Sequence, residues 1–263
     1  MRKTLLASVS AVVLSSAAVM AADMPTKARS LPAPPPAWTG FYVGLNAGYA
    51  WGNSDPTQIR AVTGAPLFMT GTTQGPPGLS PRGFIGGGQL GYNWQTGQWV
   101  FGAEVDFSGL DAKADASVSP FFIGKGLNTF TWSSRYDWLF TARLRGGFLV
   151  APNWLLYVTG GLAVTRVRDS VSCTSAAFGC IDFSPGTSLQ WSDTSTLTGG
   201  TIGGGVEAMF APNWTARVEY LYVKFKDTTP SPVNPPIPTL PPFFSFHHDL
   251  NVVRFAINYK FSP

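Results

Sequence analysis

The residues best suited to chemistry lie close together near the C-terminus. His247, His248 and Asp249 combine two imidazoles with a carboxylate, and these groups serve both acid–base catalysis and metal binding. The sequence fixes no nucleophile beside them, and a metal site needs more ligands. Polar clusters of this kind also occur where a loop enters a strand at a solvated rim. The sequence therefore favours a rim over an active site, so neither catalytic residues nor a bound metal is expected.

Three glycines match a second chemical pattern. Gly86, Gly88 and Gly91 reproduce the G-x-G-x-x-G spacing of dinucleotide-binding loops. That fingerprint must follow a strand and open a helix, whereas here another strand and a turn follow. Glycines in a strand also let the backbone bend and leave room for neighbouring side chains. The sequence therefore predicts a structural role for them and no cofactor.

The composition narrows the class of protein. Charged residues make up 12% of the chain, about half the share of ordinary soluble domains, while aromatic residues reach 14% and there are 29 glycines. A helical membrane protein would contain runs of about 18 apolar residues, and the sequence has none. These values are typical of a membrane β-barrel. The net charge of +4 falls to +2 without Arg2 and Lys3, which is too little to indicate a nucleic-acid partner.

The chain divides into three predicted segments. Residues 1–22 have the charged start, apolar middle and small-residue end of a cleaved secretory signal peptide. Residues 23–38 are rich in proline and predict a periplasmic spacer without a packed core. Residues 39–263 carry the alternating pattern of a β-barrel domain.

The closing segment shows the alternation clearly. Val253, Phe255 and Ile257 fall on one face, while Arg254 and Ala256 fall on the other, and the pattern continues to Phe261. A period of two indicates a strand with one apolar face. Such a strand cannot lie alone in lipid, because its backbone groups would be unpaired. Similar segments begin near residues 40, 82, 99, 135, 155, 201, 214 and 251, which predicts eight strands.

The connections alternate between long and short. Short turns at 95–98, 151–154 and 211–214 contrast with long loops at 52–81, 111–131, 168–193 and 228–242. Short periplasmic turns and long outer loops are typical of outer-membrane barrels. The predicted fold is all-β, an eight-stranded antiparallel up-and-down transmembrane barrel. Aromatic residues at the turns predict a periplasmic girdle formed by Trp99, Trp154, Trp214, Tyr259 and Phe261.

Volume decides which face points inward. An eight-stranded barrel has an interior just wide enough to be filled by side chains, so aromatic residues from every strand would overfill it. Small and polar residues are therefore expected inside. Charged residues on that face predict a paired lumen network, with Lys260 as a further base, formed by Glu104, Asp106, Arg135, Asp137, Arg143, Arg145, Glu207, Arg217, Glu219 and Arg254. We expect these charges to plug the lumen; an ion-conducting path is the alternative.

Two features complete the residue-level interpretation. In the seventh strand Leu221, Val223 and Phe225 fall on the polar side, which a β-bulge near Leu221 would repair. Cys173 and Cys180 are the only cysteines and share one outer loop of an exported chain. A disulfide is expected between them, with a stabilisation of about 2–3 kcal/mol for so small a loop.

Several motifs carry a resemblance to a known family. The segments are the signal ending in Ala-Ala-Asp, the stretch Trp38 to Gly44, the stretch Gly86 to Trp94 and the tail Val253 to Phe261. Together they resemble the alphaproteobacterial small outer-membrane proteins of the RopB type, which are grouped with the OmpA-like and opacity-protein barrels. The resemblance covers nearly all of the mature chain except the loops. One departure is that Ser262 and Pro263 follow the terminal aromatic that the barrel-assembly machinery usually reads.

The resemblance implies an abundant envelope protein of a Gram-negative outer membrane. The expected function is structural: support of envelope integrity and surface contacts through the long loops. A narrow passive pore of the porin family, a surface adhesin and a lipid A-modifying enzyme are the alternatives. The expected partners are outer-membrane lipid and lipopolysaccharide, the barrel-assembly machinery, and host or environmental surfaces.

Overall fold

The computed structural model describes residues 37–59, 78–119, 121–122, 126–175, 189–226 and 243–261. These residues form nine strands: β1 (Gly40–Ile59), β2 (Arg82–Thr96), β3 (Trp99–Val118), β4 (Phe121–Phe122), β5 (Gly126–Ala151), β6 (Trp154–Ser175), β7 (Leu189–Ala211), β8 (Trp214–Phe225) and β9 (Phe243–Lys260). Across the described ranges, no helix has the length and apolar character needed to cross a membrane.

Eight of the strands close into a ring. Each pairs antiparallel with its neighbours in the order β3, β2, β1, β9, β8, β7, β6, β5, and pairing of β3 with β5 completes the circle. The two-residue β4 only extends the hairpin of β5, where Phe121 pairs with Leu127. Closure leaves no sheet edge, as a barrel in lipid requires. The predicted eight-stranded antiparallel up-and-down barrel is confirmed.

The barrel wall is taller than the alternation in the sequence predicts. Strand β5 has 26 residues and β7 has 23, whereas about 9–11 suffice to cross the hydrocarbon region. Much of the predicted loops 111–131 and 168–193 is therefore strand. Alternation continues in this region at low contrast: Ala112, Ala114 and Ala116 turn inward between polar residues. We call this end of the barrel the loop end. Here the strands are connected by residues 60–77, 176–188 and 227–242.

The opposite end, here called the turn end, carries three tight turns. Gly97 in the first has a φ of +59°, a left-handed conformation that glycine adopts without strain. Each turn is also bonded to the next strand around the ring, because the backbone carbonyls of Gln98, Asn153 and Asn213 accept hydrogen bonds from the backbone N–H groups of Leu149, Met209 and Lys260. Trp38, the last residue of the predicted spacer, is buried here and donates its indole N–H to the carbonyl of Pro152 at 3.1 Å. The remainder of the spacer up to residue 36, and the predicted signal peptide, lie outside the described residues.

The two faces of the wall are chemically distinct. Large apolar side chains point outward, with Phe84 78% and Leu45 74% exposed. Inward positions of β8 alternate strictly from Thr215 to Phe225 with no register shift, so the bulge proposed near Leu221 is wrong. Leu221 points into the lumen because the lumen itself is apolar at that height.

A bulge does occur in β5. The register shifts between Tyr136 and Trp138, and the extra residue, Asp137, changes which face each side chain occupies. Residues Thr141, Arg143 and Arg145 below it point inward, and so does Tyr136 above it. Alternation read straight through the bulge therefore assigned Tyr136 to the outer face, where it does not lie.

Candidate functional site

The lumen near the turn end holds a balanced set of buried charges. Four arginines and four carboxylates lie within it, each at most 5% exposed: Arg143, Arg145, Arg217, Arg254, Glu104, Asp106, Glu207 and Glu219. All eight belong to the ten residues that the sequence predicted for the lumen. Equal numbers of opposite charges make the layer neutral, which is the condition under which ions can remain buried.

Glu104 is the most heavily bonded acid of this charged layer. Its Oε1 accepts a bond from Arg217 Nη2 at 2.7 Å and is also bound by Arg143. Its Oε2 contacts Arg217 Nη1 at 2.5 Å and accepts the hydroxyl of Tyr42 at 2.6 Å. Arg217 also donates to Gln89 at 2.9 Å. The carboxylate therefore uses both oxygens twice, a pattern of charge-assisted bonds that fixes its position.

Arg254 links two further acids. Its Nε donates to Glu219 Oε1 at 2.8 Å, and its Nη1 donates to Asp106 Oδ1 at 2.9 Å. Arg143 contacts the same two carboxylates, each at 3.0 Å. The two guanidinium groups therefore bridge β3 to β8 across the lumen.

The remaining pair lies nearest the turn end. Arg145 contacts Glu207 Oε2 at 2.5 Å, and its guanidinium carbon lies 4.0 Å from the centre of the Tyr157 ring. The other oxygen of Glu207 accepts bonds from Thr215 at 2.6 Å and Asn258 at 3.1 Å. These contacts join side chains of five strands, β5 to β9, across the turn end of the lumen.

The two halves of the ring repeat one arrangement. Tyr42 on β1 lies opposite Gly91 on β2 and donates to Glu104 on β3. In the other half, Tyr157 on β6 lies opposite Gly205 on β7 and donates to Glu219 on β8 at 2.8 Å. A Cβ on Gly91 would lie 2.4 Å from the Tyr42 ring, and one on Gly205 would lie 2.8 Å from the Tyr157 hydroxyl. Glycine is therefore needed at both positions for the tyrosines to reach across.

Three predicted members of the network lie elsewhere. Arg135 is half exposed on the outer wall and Asp137 is the bulge residue, 3.6 Å away from it. The bulge reverses the faces, which explains why strict alternation assigned both to the lumen. Lys260 is inward but lies at the turn end, where it bonds the carbonyl of Ala37.

An apolar layer closes the lumen above the charges. It draws at least one side chain from each of the eight ring strands, and no member is more than 4% exposed: Ala50, Ile85, Leu110, Ala112, Tyr136, Leu139, Ala163, Val167, Leu197, Leu221, Val223, Phe225, Leu250 and Val252. We call this set the apolar septum. The expectation of small and polar residues along the whole interior is wrong at this height. Leu221, Val223 and Phe225, which fall out of the alternation in β8, are the signal of the septum in the sequence.

A third layer lies above the septum and contains His248. The ring Nδ1 of His248 lies 2.9 Å from the Tyr136 hydroxyl and 3.2 Å from the Ser54 hydroxyl, while Nε2 lies 3.9 Å from Asp169. Strand alternation separates the three residues read together in the sequence, since His248 turns inward and His247 outward. The expectation of a solvated rim is therefore wrong for His248, which is 3% exposed.

This group resembles a hydroxyl–imidazole–carboxylate triad only in composition. Ser54 is completely buried, and its backbone bonds both ways with Leu79, at 2.7 and 3.0 Å. Two hydroxyls share one imidazole nitrogen, and the carboxylate lies beyond hydrogen-bond distance of the other. Both Ser54 and His248 are buried, and the arrangement fits a packed polar layer.

The aromatic residues predicted for the girdle lie at the turn end and face outward, between 36% and 53% exposed. Among the described residues, four ring contacts connect members of the set to each other or to neighbours: Trp99 with Phe101, Trp99 with Phe148, Trp214 with Tyr259, and Tyr259 with Phe261. The predicted disulfide partner Cys180 lies outside the described residues, so the pairing with Cys173 stays a prediction.

Comparison with known proteins decides the family. The model of the outer membrane protein beta-barrel domain matches residues 9–241. The chain belongs to this family. The family is one of outer-membrane barrels, and this chain is accordingly an outer-membrane protein.

Two relatives extend the match. The 31 kDa outer-membrane immunogenic protein of Brucella melitensis is 33% identical over 99% of this chain and 100% of its own length. The 22 kDa outer membrane protein of Rhizobium leguminosarum bv. viciae is 27% identical over 73% of this chain and 67% of its own. Both relatives support the predicted resemblance to small alphaproteobacterial outer-membrane proteins, which is confirmed.

Solved barrels are similar at lower identity. Neisserial surface protein A is 16% identical, with a TM-score of 0.37, over 85% of this chain and 98% of its own. The outer membrane protease OmpT of Escherichia coli is 8% identical, with a TM-score of 0.47, over 84% and 97%.

Proposed function

We propose that this protein is a non-enzymatic structural barrel that contributes to the integrity of the outer membrane. Its outward apolar wall anchors it in lipid, its filled lumen passes no ions, and its loop end faces outward to make surface contacts. Export by a cleaved signal peptide and insertion by the barrel-assembly machinery belong to this proposal.

The observation that carries the proposal is the stacking of layers inside the ring. Along β9 the inward residues are Asn258, Ala256, Arg254, Val252, Leu250 and His248, which take the chain from polar through charged to apolar and back to polar. An ion moving along the axis would have to displace paired charges and then cross the apolar septum. Transfer of an unpaired ion into an apolar region costs several kcal/mol or more.

The same packing argues against an enzyme. The acid and base groups of the charged layer are bound to each other, and the Ser54–His248 contact is enclosed. Catalysis needs a reacting atom within hydrogen-bond reach of the acid–base groups.

Conductance tests the closed lumen. The refolded full-length protein is inserted in planar lipid bilayers and recorded in potassium chloride, with heat-modifiable gel migration as evidence of folding. The proposal expects no steady conductance from the folded protein. A stable open level that scales with salt concentration would favour the passive pore and overturn the closed lumen.

Envelope integrity is tested in cells. Removal of the protein should increase sensitivity to detergent and to large hydrophobic antibiotics, and the wild-type chain should restore resistance. Unchanged sensitivity combined with loss of surface binding would favour the adhesin. Altered lipid A in the mass spectrum, restored by the wild type but not by the variant His248→Ala, would favour the enzyme.

A further inference from the structure

A row of bases crosses the outside of the wall near the loop end. Arg82 on β2 lies directly opposite Lys113 on β3, Lys113 lies opposite Arg135 on β5, and Arg135 lies opposite Arg168 on β6. All four side chains are exposed. We call them the cationic row. Neighbouring strands are about 4.8 Å apart, so the row is about 15 Å long.

Such an arrangement is unfavourable without an anion. Like charges directly opposite each other on neighbouring strands destabilise a sheet. Two acids lie beside the row: Asp111 is 3.0 Å from Lys113 and 3.5 Å from Arg135, and Asp137 is 3.8 Å from Arg168. Asp115 and Arg166, which are outward two residues away from Lys113 and Arg168 along their strands, add one charge of each sign. Five bases and three acids therefore leave this patch with an excess of two positive charges. The distances from Arg135 to Asp111 and from Arg168 to Asp137 are longer than those of good hydrogen bonds. The N–H groups of these two arginines can therefore still donate to a further acceptor.

The position of the row identifies the kind of anion. On β2 the apolar outer face runs from Trp94 to Phe84, ten residues or about 25 Å for a tilted strand, which is the height of the apolar band of a membrane barrel. Arg82 is the next outward residue after Phe84, and on β5 Arg135 follows the outward Trp138 after the bulge. The row therefore begins where the hydrocarbon ends. Because the strands are tilted, the later members of the row lie progressively further from the edge of the hydrocarbon region.

The rest of the rim offers no similar row among the described residues. On β8 the outward base Lys224 lies opposite an acid, Asp249 of β9. Outward residues of β7 at the loop end are Thr194, Thr196 and Thr198. The bases are therefore concentrated on one side of the barrel, as expected for binding at one place and not for general solubility.

We infer that the cationic row binds the phosphate groups of a lipid A-type glycolipid in the outer leaflet, with its acyl chains lying against the apolar wall below. Guanidinium groups bind phosphate through paired, charge-assisted hydrogen bonds, and the row places several at the height of the lipid headgroups. This inference rests on the outer-membrane role proposed above and names the partner of one part of its surface. It is independent of whether the lumen conducts.

The test compares two double variants with the same loss of charge. Lys113→Gln/Arg135→Gln removes the centre of the row, and Lys224→Gln/Lys226→Gln removes two bases outside it. Both are prepared as full-length barrels in detergent micelles, and heat-modifiable migration shows that each is folded. Binding of purified diphosphorylated lipid A is measured by native mass spectrometry across a range of concentrations and salt.

We expect the row variant to bind lipid A at least tenfold more weakly (about an order of magnitude), because it lacks two cationic donors and charge-assisted hydrogen bonds are stronger than neutral ones. The control variant should bind like the wild type, and added salt should weaken binding by the wild type. Equal affinity in both variants would overturn the inference. So would equal binding of lipid A from which the phosphates have been removed.

A second arm separates the glycolipid from free phosphate. Inorganic phosphate is added at millimolar concentration in competition with lipid A. The inference expects little displacement, because the acyl chains also contribute to binding. Full displacement would mean that the row is a site for free phosphate and would contradict the assignment to a lipid. Failure here leaves the conductance result untouched, so the two proposals fail separately.

Discussion

The charged layer and the apolar septum fill the same lumen with opposite kinds of side chain. The charged layer packs four arginines against four carboxylates with hydrogen bonds across the lumen. The septum, a few residues further along the same strands, packs aliphatic and aromatic side chains. In β8 the change takes place between Glu219 and Leu221, two successive inward positions.

The difference shows that the two layers contribute differently to strand register and to stability. Buried ion pairs contribute little net stability, because desolvation offsets most of their attraction, but each ion needs its partner. They therefore favour one strand register, in which Arg254 meets Glu219 and Asp106. Apolar packing is less specific but stabilises in proportion to the area buried. The charged layer sets the register, and the septum supplies stability and excludes water.

Removal of one arginine should have the largest effect. Arg217→Met leaves Glu104 without two of its bonds and Gln89 without one, in a region where water cannot replace them. We expect a loss of about 3–5 kcal/mol in the free energy of unfolding, measured by urea titration of the refolded barrel in lipid. Arg135→Met, which changes a base on the outer wall, serves as the control and should change that free energy by no more than about 1 kcal/mol. Equal effects of the two variants would mean that the lumen charges are solvated.

Truncation within the septum should have a somewhat smaller effect. Leu221→Ala opens a cavity among fully buried neighbours, and we expect a loss of about 2–5 kcal/mol in the same titration. Val218→Ala, on the outward face of the same strand and 57% exposed, leaves no cavity. It should lower the free energy of unfolding by only about 1 kcal/mol. A larger loss for Val218 than for Leu221 would place the packed side of β8 outside the ring.

The sequence predicted those features of the barrel that follow from the alternation of apolar and polar residues. Closure into eight strands, the outward aromatic wall and eight of the lumen charges follow from a period of two and from the limited volume of the interior. The septum did not follow, because at Leu221 and Val223 both faces of β8 are apolar and alternation loses its contrast. The inward assignment of Arg135 and Asp137 failed because a single extra residue reverses the faces, and nothing in the local sequence marks it.

Strand length was underestimated for a related reason. Beyond the membrane the outer face becomes polar and the inner face carries small residues such as Ala114 and Ala116, so the pattern resembles a loop. The His248 layer was missed because its members come from four strands, with Ser54 on β1, Tyr136 on β5 and Asp169 on β6. Contacts between distant strands depend on register, which a single sequence does not specify.

Access of water to the septum tests the central claim most directly. Val252 lies opposite both Ala50 and Leu221, and all three are completely buried. A Val252→Cys variant, in a chain with Cys173 and Cys180 replaced by serine, is exposed to a charged, membrane-impermeant thiol reagent, with Lys224→Cys as the exposed control. The account predicts that Val252→Cys stays unmodified while folded and reacts after unfolding in urea. Modification of the folded barrel at a rate close to that of Lys224→Cys would show a water-filled lumen and contradict the account.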